Sequence, residues 1–323
     1  MRSDFIKAAI RSFMSLLSHG VYFCLWGLGF LVLKTPLQAK RVFASVFAFV
    51  FLEILGFRRQ VVFHNLARVF PRKKEESMSE FERRIKKLAF KNFIHYGWMF
   101  LELFERFHWS EEIVKKKLKA TGVENVWNAL AKGKGFFFLT AHLGNWELIT
   151  RVGVFLKFPL VIVTKALRNP FWDAVWVRSR KSFGLELLEE SGSGLGIVRC
   201  IRSNKGVGFI LDQHTGPPHG DQAEFLGVKN AWCPKGLAIL ASRLDCPVIP
   251  AYMVRDANGC FHLTIEPALD LPQVKTDADR ITHIEICNRN MEKWILQYPE
   301  QYLWIHKRFK GQVDYSTSLP WEL

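Results

Sequence analysis

The stretch FFFLTAHLGNWELIT, residues 136–150, restricts the fold more than any other part of this 323-residue chain. An uninterrupted apolar run of strand length ends at Thr140, which is typical of a strand buried on both faces of a sheet. Gly144 allows a sharp turn, and Asn145 is a favourable N-cap for a helix that begins at the next residue. The stretch therefore predicts a buried strand that passes through a tight turn directly into a helix.

The same alternation of patterns recurs along the rest of the chain beyond Thr121. Short apolar runs predict strands at residues 135–140, 160–164, 206–211, 247–254 and 261–266. Helical patterns lie between them at residues 146–156, 170–183 and 235–244, and amphipathic helices are predicted from residue 58 to about 107. This order predicts an α/β fold with a central, mostly parallel sheet flanked by helices.

The turn after the first buried strand carries an imidazole and a carboxylate, His142 and Glu147. On a continuous helix, residues five apart lie about 140° from each other, so the backbone must break before the two side chains can meet. We expect Glu147, in the first helical turn, to hold one imidazole nitrogen while the other faces out as a general base. No Ser or Cys adjoins the pair, which favours direct proton removal from a bound hydroxyl over a covalent intermediate. A second match to this spacing, His219 and Glu224, is interpreted as chance because it falls in a Gly- and Pro-rich segment predicted to be a loop.

The N-terminus predicts a hydrophobic helical membrane anchor. Residues 12–33 contain no Asp, Glu, Lys or Arg, and this length of 22 residues is close to the ~20 that a helix needs to cross a bilayer. A second, shorter apolar block covers residues 42–57 and contains Glu53. Basic residues flank the first block on both sides, so a span, a half-inserted anchor and an in-plane anchor all stay open, as does an ordinary buried helix. We therefore divide the chain into an anchor, residues 1–57, and an α/β domain, residues 58–323.

The charge balance restricts the class of partner. The chain has 45 Lys and Arg against 30 Asp and Glu, a net charge of +15 that favours anionic partners. Because the charges are dispersed among 28 Phe and 11 Trp, we expect lipid rather than nucleic acid. The six cysteines show no metal-binding spacing and are interpreted as reduced thiols facing a cytoplasmic compartment. No cofactor or metal is expected.

Five motifs, in order from about residue 58 to residue 310, resemble the late acyltransferases of lipid A biosynthesis, which include lauroyl and myristoyl transferases. That family lies within the wider group of H-x4-D/E glycerolipid acyltransferases. The motifs are RRQVVFHNLARVFP, AHLGNWE, RNPFWDAVWVRSRKSFG, LDQHTGPPHGDQAEFLG followed by KGLAILASRLDCPVIP, and YPEQYLWIHKRFK. The last is nearly the family's Pro-Glu-Gln-Tyr-X-Trp-X-His-X-Arg-Phe-Lys ending.

The resemblance implies roles for particular residues. His142 would be the base and Glu147 its orienting partner. The family's arginine ahead of its Asn-Pro pair would correspond to Lys165 or Arg168, next to Asn169. The resemblance also makes three further residues candidates for substrate binding or charge stabilisation: Arg178, Arg180 and Asp212.

The same resemblance implies the reaction and its location. A fatty acyl chain would pass from acyl carrier protein, with coenzyme A as the less favoured donor, to a hydroxyl of a lipid A precursor. The enzyme would work at the cytoplasmic face of a bacterial inner membrane, where its basic surface would meet the phosphorylated glycolipid and the acidic carrier protein.

Three alternatives stay open. In the first, the acceptor is another membrane glycolipid, such as a phosphatidylinositol mannoside. A protein of a different class, a membrane-associated metallohydrolase, would use Asp212, His214, His219 and Asp221 as metal ligands. A catalytically inactive lipid-binding or scaffold protein would keep the fold alone, although the intact His142 and Glu147 weigh against it.

Overall fold

A computed structural model of the chain describes residues 20–164, 166, 167, 169–182, 184–189 and 193–322, without the side chains of residues 182 and 193. Eleven helices and nine strands are described in this part of the chain. The helices are α1 Gly20–Lys34, α2 Leu37–Ala48, α3 Arg59–Val69, α4 Met78–Glu105, α5 Glu111–Lys117, α6 Val123–Leu130, α7 Trp146–Phe155, α8 Pro170–Ser182, α9 Ser193–Arg202, α10 Gly236–Leu244 and α11 Asp277–Gln297.

Seven strands form one sheet with the order β1-β9-β8-β2-β5-β3-β4. All neighbouring pairs in it are parallel except β8 and β9. The strands are β1 Leu118–Thr121, β2 Phe136–Thr140, β3 Leu160–Thr164, β4 Glu186–Glu189, β5 Gly206–Ile210, β8 Val248–Arg255 and β9 Phe261–Ile265. Apolar clusters cover both faces of the sheet: α5, α6 and α7 pack on one, and α9, α10 and α11 on the other. The predicted α/β fold with a mostly parallel sheet is confirmed.

All five predicted strands and all three helices predicted between them are present, within two residues at each end. The sheet also contains two short strands that the sequence did not predict, β1 and β4. The segment after Gly220 was predicted to be a loop, and this was wrong. Residues Gly220–Phe225 form β6, which pairs with β7, Val228–Pro234, in a separate antiparallel hairpin. Only Gly220, Ala223 and Phe225 of β6 are buried, so the strand forms through pairing rather than through an apolar run.

The N-terminal helices form a bent pair. Among the described residues, no single helix is both long and apolar enough to cross a bilayer. The helices Gly20–Lys34 and Leu37–Ile54 meet that requirement only together, and they are bent by 117° at the break between them. The second of them continues past α2 as a π-helical turn, Phe49–Ile54. Residues 12–19 of the predicted apolar span lie outside the described residues.

Helix α2 packs closely on the long helix α4. A side chain at Gly97 would come within 2.8 Å of the Ala44 backbone, so the small residue lets the two helices approach. Near the end of α4, Lys40 forms a buried ion pair with Glu105, which Lys117 also contacts at 3.0 Å. The N-terminal helices are thus attached to the α/β part of the chain by packing and by a buried charge pair.

Candidate active site

The carboxyl ends of the neighbouring strands β2 and β5 bring together His142 and Asp212. Thr140 pairs with Ile210 in the parallel register, so the residues two positions further along each strand lie side by side. Asp212 Oδ1 accepts hydrogen bonds from the His142 backbone N–H at 3.0 Å and from Nδ1 at 2.8 Å. Two bonds to the same residue fix both the position and the orientation of the imidazole.

Asp212 also sets the protonation of the ring. Burial by itself lowers the pKa of His142, but the charge and hydrogen bond of Asp212, with a smaller contribution from Glu147, outweigh burial and raise the pKa above 6.5. The same pairing overcomes burial at Asp212 and holds the pKa of that carboxyl below its usual range. Because ionised Asp212 can only accept, neutral His142 carries its proton on Nδ1 and offers a bare lone pair at Nε2. This is the state that a general base needs.

The turn after His142 depends on a glycine. Gly144 has a φ of +60°, and a Cβ at this position would lie 1.8 Å from the carbonyl oxygen of Met253. Its N–H donates to the Gln301 carbonyl at 2.9 Å, and its carbonyl contacts His95 Nε2 at 3.3 Å. Asn145 then caps α7, accepting from the Leu148 N–H at 3.2 Å. The predicted strand, turn and N-cap are confirmed.

We expect Gly144→Ala to lower the free energy of unfolding by about 2 kcal/mol or more, because the added Cβ must displace the Met253 backbone as well as strain φ. Gly133→Ala is a matched control: its φ is +69°, but no atom lies within 4 Å of the added Cβ. We expect about 1 kcal/mol for the control. Chemical denaturation measures both variants, and equal losses would contradict the account of the turn.

Glu147 is placed differently from the prediction. Its carboxylate accepts from Arg180 Nη2 at 2.8 Å and from Arg106 Nη1 at 3.4 Å. Among the hydrogen bonds of the described residues, none joins Glu147 to His142, and Asp212 occupies Nδ1 instead. The prediction that Glu147 holds an imidazole nitrogen is therefore wrong in the described structure. The physical reason is that two guanidinium groups, one of them only 3% exposed, require a counter-ion beside the start of α7.

A buried polar network on α4 supports the turn and was missed from the sequence. Glu102 accepts from Asn145 Nδ2 and from Arg255 Nη1, both at 2.7 Å, and Arg255 also contacts His95 Nδ1 at 3.0 Å. Burial lowers the pKa of Arg106, the residue that directly follows α4, to about 10. The signal in the sequence was the segment FLELFERF, where charges fall among apolar residues on the buried side of a helix.

A cavity of about 540 Å³ opens beside His142, and most of its lining is apolar. On one side it lies between the sheet and α7, against Phe138, Ile149 and Phe158. Gly153 and Gly208 leave space in its walls because they have no side chains. Thr140, His142 and Gln213 line it near the carboxyl ends of β2 and β5. A cavity of this size and lining suits an extended hydrocarbon chain whose reactive end meets the imidazole.

The remaining predicted site residues are spread along α8. Asn169 caps the helix, accepting from the backbone N–H groups of Phe171 and Trp172. Arg180 binds Glu147 and donates to Thr164 Oγ1 at 2.6 Å, beside a second cavity of about 400 Å³. Arg178 is half-buried on the same helix. Lys165 and Arg168 lie outside the described residues.

The four proposed metal ligands do not form a group. Asp212 binds His142, whereas Asp221 is ion-paired with Arg280 and lies 3.6 Å from Lys235. In the part of the chain that the structure describes, no three His, Cys, Asp or Glu side chains are placed to hold a metal ion. The metallohydrolase alternative therefore has no ligand set there.

Comparisons with known proteins agree on one family. The profile of the family described as "Bacterial lipid A biosynthesis acyltransferase" matches residues 10–311. The chain is 25% identical over 310 residues to the lipid A biosynthesis lauroyltransferase of Escherichia coli K12, covering 94% of this chain and 97% of that enzyme. It is 27% identical over 263 residues to the palmitoleoyltransferase of the same organism, covering 81% and 82%. A lipid A biosynthesis acyltransferase of Haemophilus influenzae is 24% identical, covering 88% and 89%.

Proposed function

The chain belongs to the bacterial lipid A biosynthesis acyltransferase family, and on this premise we propose that it moves a fatty acyl chain from a thioester to a lipid A precursor. Members of this family are O-acyltransferases, so this chain is an enzyme that forms an ester. The donor that we propose is acyl-acyl carrier protein, with acyl-coenzyme A as the less favoured source. The acceptor is a hydroxyl of the lipid A precursor.

One observation carries the proposed mechanism. His142 lines the apolar cavity together with Gln213, which contacts His142 Nε2, while Asp212 binds Nδ1. A fatty acyl chain in the cavity would present its thioester carbon at the imidazole, because His142 lines the cavity just beyond the end of β2 and most of the lining is apolar. A hydroxyl placed between Nε2 and the thioester would then be within attack distance, about 3–3.5 Å.

The reaction needs one base that becomes one acid. His142 Nε2 takes the hydroxyl proton as the oxygen attacks the thioester carbon, and the carbonyl electron pair moves to its oxygen. Asp212 stabilises the imidazolium that forms. When the carbonyl re-forms, the carbon–sulfur bond breaks and the thiolate takes the proton from His142. The products are an ester and a free thiol, and the base is restored.

Basic residues around the site would bind the anionic parts of the substrates. Arg178 and Arg180 lie on α8, which Asn169 caps, and Arg180 lines the second cavity together with Glu147. We propose that Arg178, Lys165 and Arg168 contact phosphate groups of the glycolipid or of the donor. Arg180 and Arg106 both form ion pairs with Glu147, in the first turn of α7. We propose that Arg180 thereby also fixes the start of that helix.

Purified enzyme tests this function directly. It is incubated with acyl-acyl carrier protein or acyl-coenzyme A and with either a lipid A precursor or a phosphatidylinositol mannoside, and mass spectrometry reads the product. The proposal requires the lipid A precursor to gain the mass of one fatty acid minus one water. If only the mannoside is acylated, the mannoside and not the lipid A precursor is the acceptor. If neither lipid is acylated, the proposed function is contradicted.

We further propose that the bent helix pair lies in the inner membrane interface, at its cytoplasmic face. Its outer side exposes large apolar side chains, including Phe23, Leu31, Val42 and Ile54, each more than 60% exposed. Exposed basic residues accompany them, such as Lys34 and Arg58. An apolar face with flanking cations is typical of a helix that rests among headgroups, where a glycolipid acceptor is found.

A double substitution tests this placement. We expect Leu31→Ser with Val42→Ser to weaken partitioning into anionic vesicles by about tenfold, because two side chains no longer enter the hydrocarbon boundary. Trp127→Ser with Leu296→Ser removes two comparably exposed side chains from other helices and should leave partitioning unchanged. Flotation with vesicles measures both, and equal partitioning of the two double variants would contradict the proposed orientation.

A further inference from the structure

We propose that Gln213 is a catalytic residue whose side-chain amide donates the hydrogen bond that stabilises the negative oxygen formed on the thioester. This inference rests on the proposed function and adds a second catalytic group to it. Gln213 follows Asp212 directly, lines the cavity, and its Nε2 atom lies 3.4 Å from His142 Nε2. It is therefore the polar side chain in contact with the nitrogen that must receive the substrate proton.

The orientation of the amide follows from the state of the ring. His142 donates its Nδ1 proton to Asp212, so Nε2 carries only a lone pair. The oxygen end of the Gln213 amide would meet that lone pair with repulsion, whereas the NH2 end donates to it. The amide N–H thus faces the place where the acceptor hydroxyl will bind.

Backbone donors at the turn are used by the fold itself. The N–H of His142 donates to Asp212, that of Leu143 to the Ala141 carbonyl at 2.7 Å, and that of Gly144 to the Gln301 carbonyl at 2.9 Å. On β5 and beyond, the N–H of Leu211 donates to the Thr140 carbonyl, and that of His214 donates to His306 Nε2. These five amides, which flank the two catalytic side chains, are not available to a developing oxyanion. Gln213 instead places a side-chain donor beside His142 Nε2.

Substrate binding would release this donor at the right moment. The acceptor hydroxyl displaces the Gln213 amide from Nε2 by donating its own proton there. The freed N–H then lies a few ångströms from the thioester oxygen, because the attacked carbon is about 3–3.5 Å from the hydroxyl. As the hydroxyl oxygen bonds to that carbon, its proton passes to His142 and the carbonyl pair moves onto the oxygen, which Gln213 stabilises. Collapse restores the carbonyl, expels the thiolate and returns the proton from His142 to sulfur.

Steady-state kinetics of Gln213→Leu test the inference. We expect kcat to fall by about 10²–10³-fold, as for loss of one oxyanion donor, while KM for the donor changes less than about threefold. The rise of kcat with pH should keep its midpoint within about half a unit, because His142 and Asp212 are intact. A loss of kcat with a midpoint shift above about one unit would overturn the catalytic role, since Gln213 would then act only by positioning His142. A kcat within about threefold of the wild type would overturn it as well.

Two further variants keep the test decisive. If Gln213→Leu does not fold, Gln213→Glu preserves the shape and replaces the donor by an acceptor, and we expect at least about 10²-fold loss of kcat. A kcat within about threefold of wild type in Gln213→Glu overturns the inference. Gln297→Glu makes the same chemical change on the exposed end of α11 and should leave kcat unchanged. Wild-type rates in Gln213→Leu, in an enzyme that His142→Ala inactivates, would reject this inference and keep the proposed function.

Discussion

Replacing His142 by alanine should lower the rate of acyl transfer by about 10³–10⁴-fold, while the protein still folds and binds membranes. In the proposed mechanism the imidazole takes the hydroxyl proton, and general base catalysis contributes up to about 10⁴-fold. The side chain is 17% exposed and belongs to neither of the two large hydrophobic core clusters, so we expect the variant to fold. Product formation by mass spectrometry gives the rate, and thermal unfolding confirms that the variant is folded.

A surface pair offers a matched control for this change. His262 and Asp256 form a second His–Asp contact, 3.1 Å long, with both side chains partly exposed and away from the cavity mouth. His262→Ala should transfer acyl chains at a rate within about twofold of wild type. If His142→Ala did the same, the proposed mechanism would be rejected.

The second large effect should come from Asp212→Asn, with a loss of about 10³-fold in kcat. An amide at this position no longer stabilises the imidazolium, and it can donate to Nδ1, which forces the ring into the wrong tautomer. The remaining activity should also change its pH dependence. Because Asp212 raises the pKa of His142, its removal lowers that pKa, and the rise of activity with pH moves to lower pH.

The comparison with Glu147→Gln separates the two carboxylates. Glu147 raises the pKa of His142 only as a minor contribution, and its hydrogen bonds go to Arg106 and Arg180. In Glu147→Gln the ring should therefore keep its tautomer, while the buried Arg106 loses a counter-ion and stability falls. If neutral His142 were no longer protonated on Nδ1 in Glu147→Gln but still so protonated in Asp212→Asn, the assignment of the orienting carboxylate would be reversed. Asp256→Asn, at the surface pair, should change neither property.

The backbone conformation of the site was predictable because neighbouring residues in the sequence determine it. The apolar run, Gly144 and Asn145 are contiguous, and each acts through its own conformational preference or hydrogen bond. The partner of His142 was not predictable in this way. Asp212 is 70 residues away, and it meets His142 only because β5 enters the sheet beside β2, between β2 and β3. Strand order of this kind is decided by packing across the whole sheet.

The elements that escaped prediction share a physical cause. Strand β4 has the sequence ELLE with both ends exposed, and β6 has the sequence GDQAEF. Strands at an edge or in a separate hairpin bury one face at most, so their sequences lack the apolar runs that marked the central strands.

The N-terminal apolar block was recognised, but its bend was not. Pro36 lies two residues after the end of α1. A proline disfavours helix in the residue before it, here Thr35, and cannot continue the helical hydrogen bonds.

A nitrogen-detected NMR titration of His142 tests the central claim most directly. Histidine labelled with ¹⁵N in the ring is incorporated into the wild-type enzyme, and the His142 signals are identified by their absence from His142→Ala. We expect a pKa above 6.5, with the neutral ring protonated on Nδ1. A pKa below 6.5, or a neutral ring protonated on Nε2, would contradict a base that Asp212 orients toward the acceptor hydroxyl.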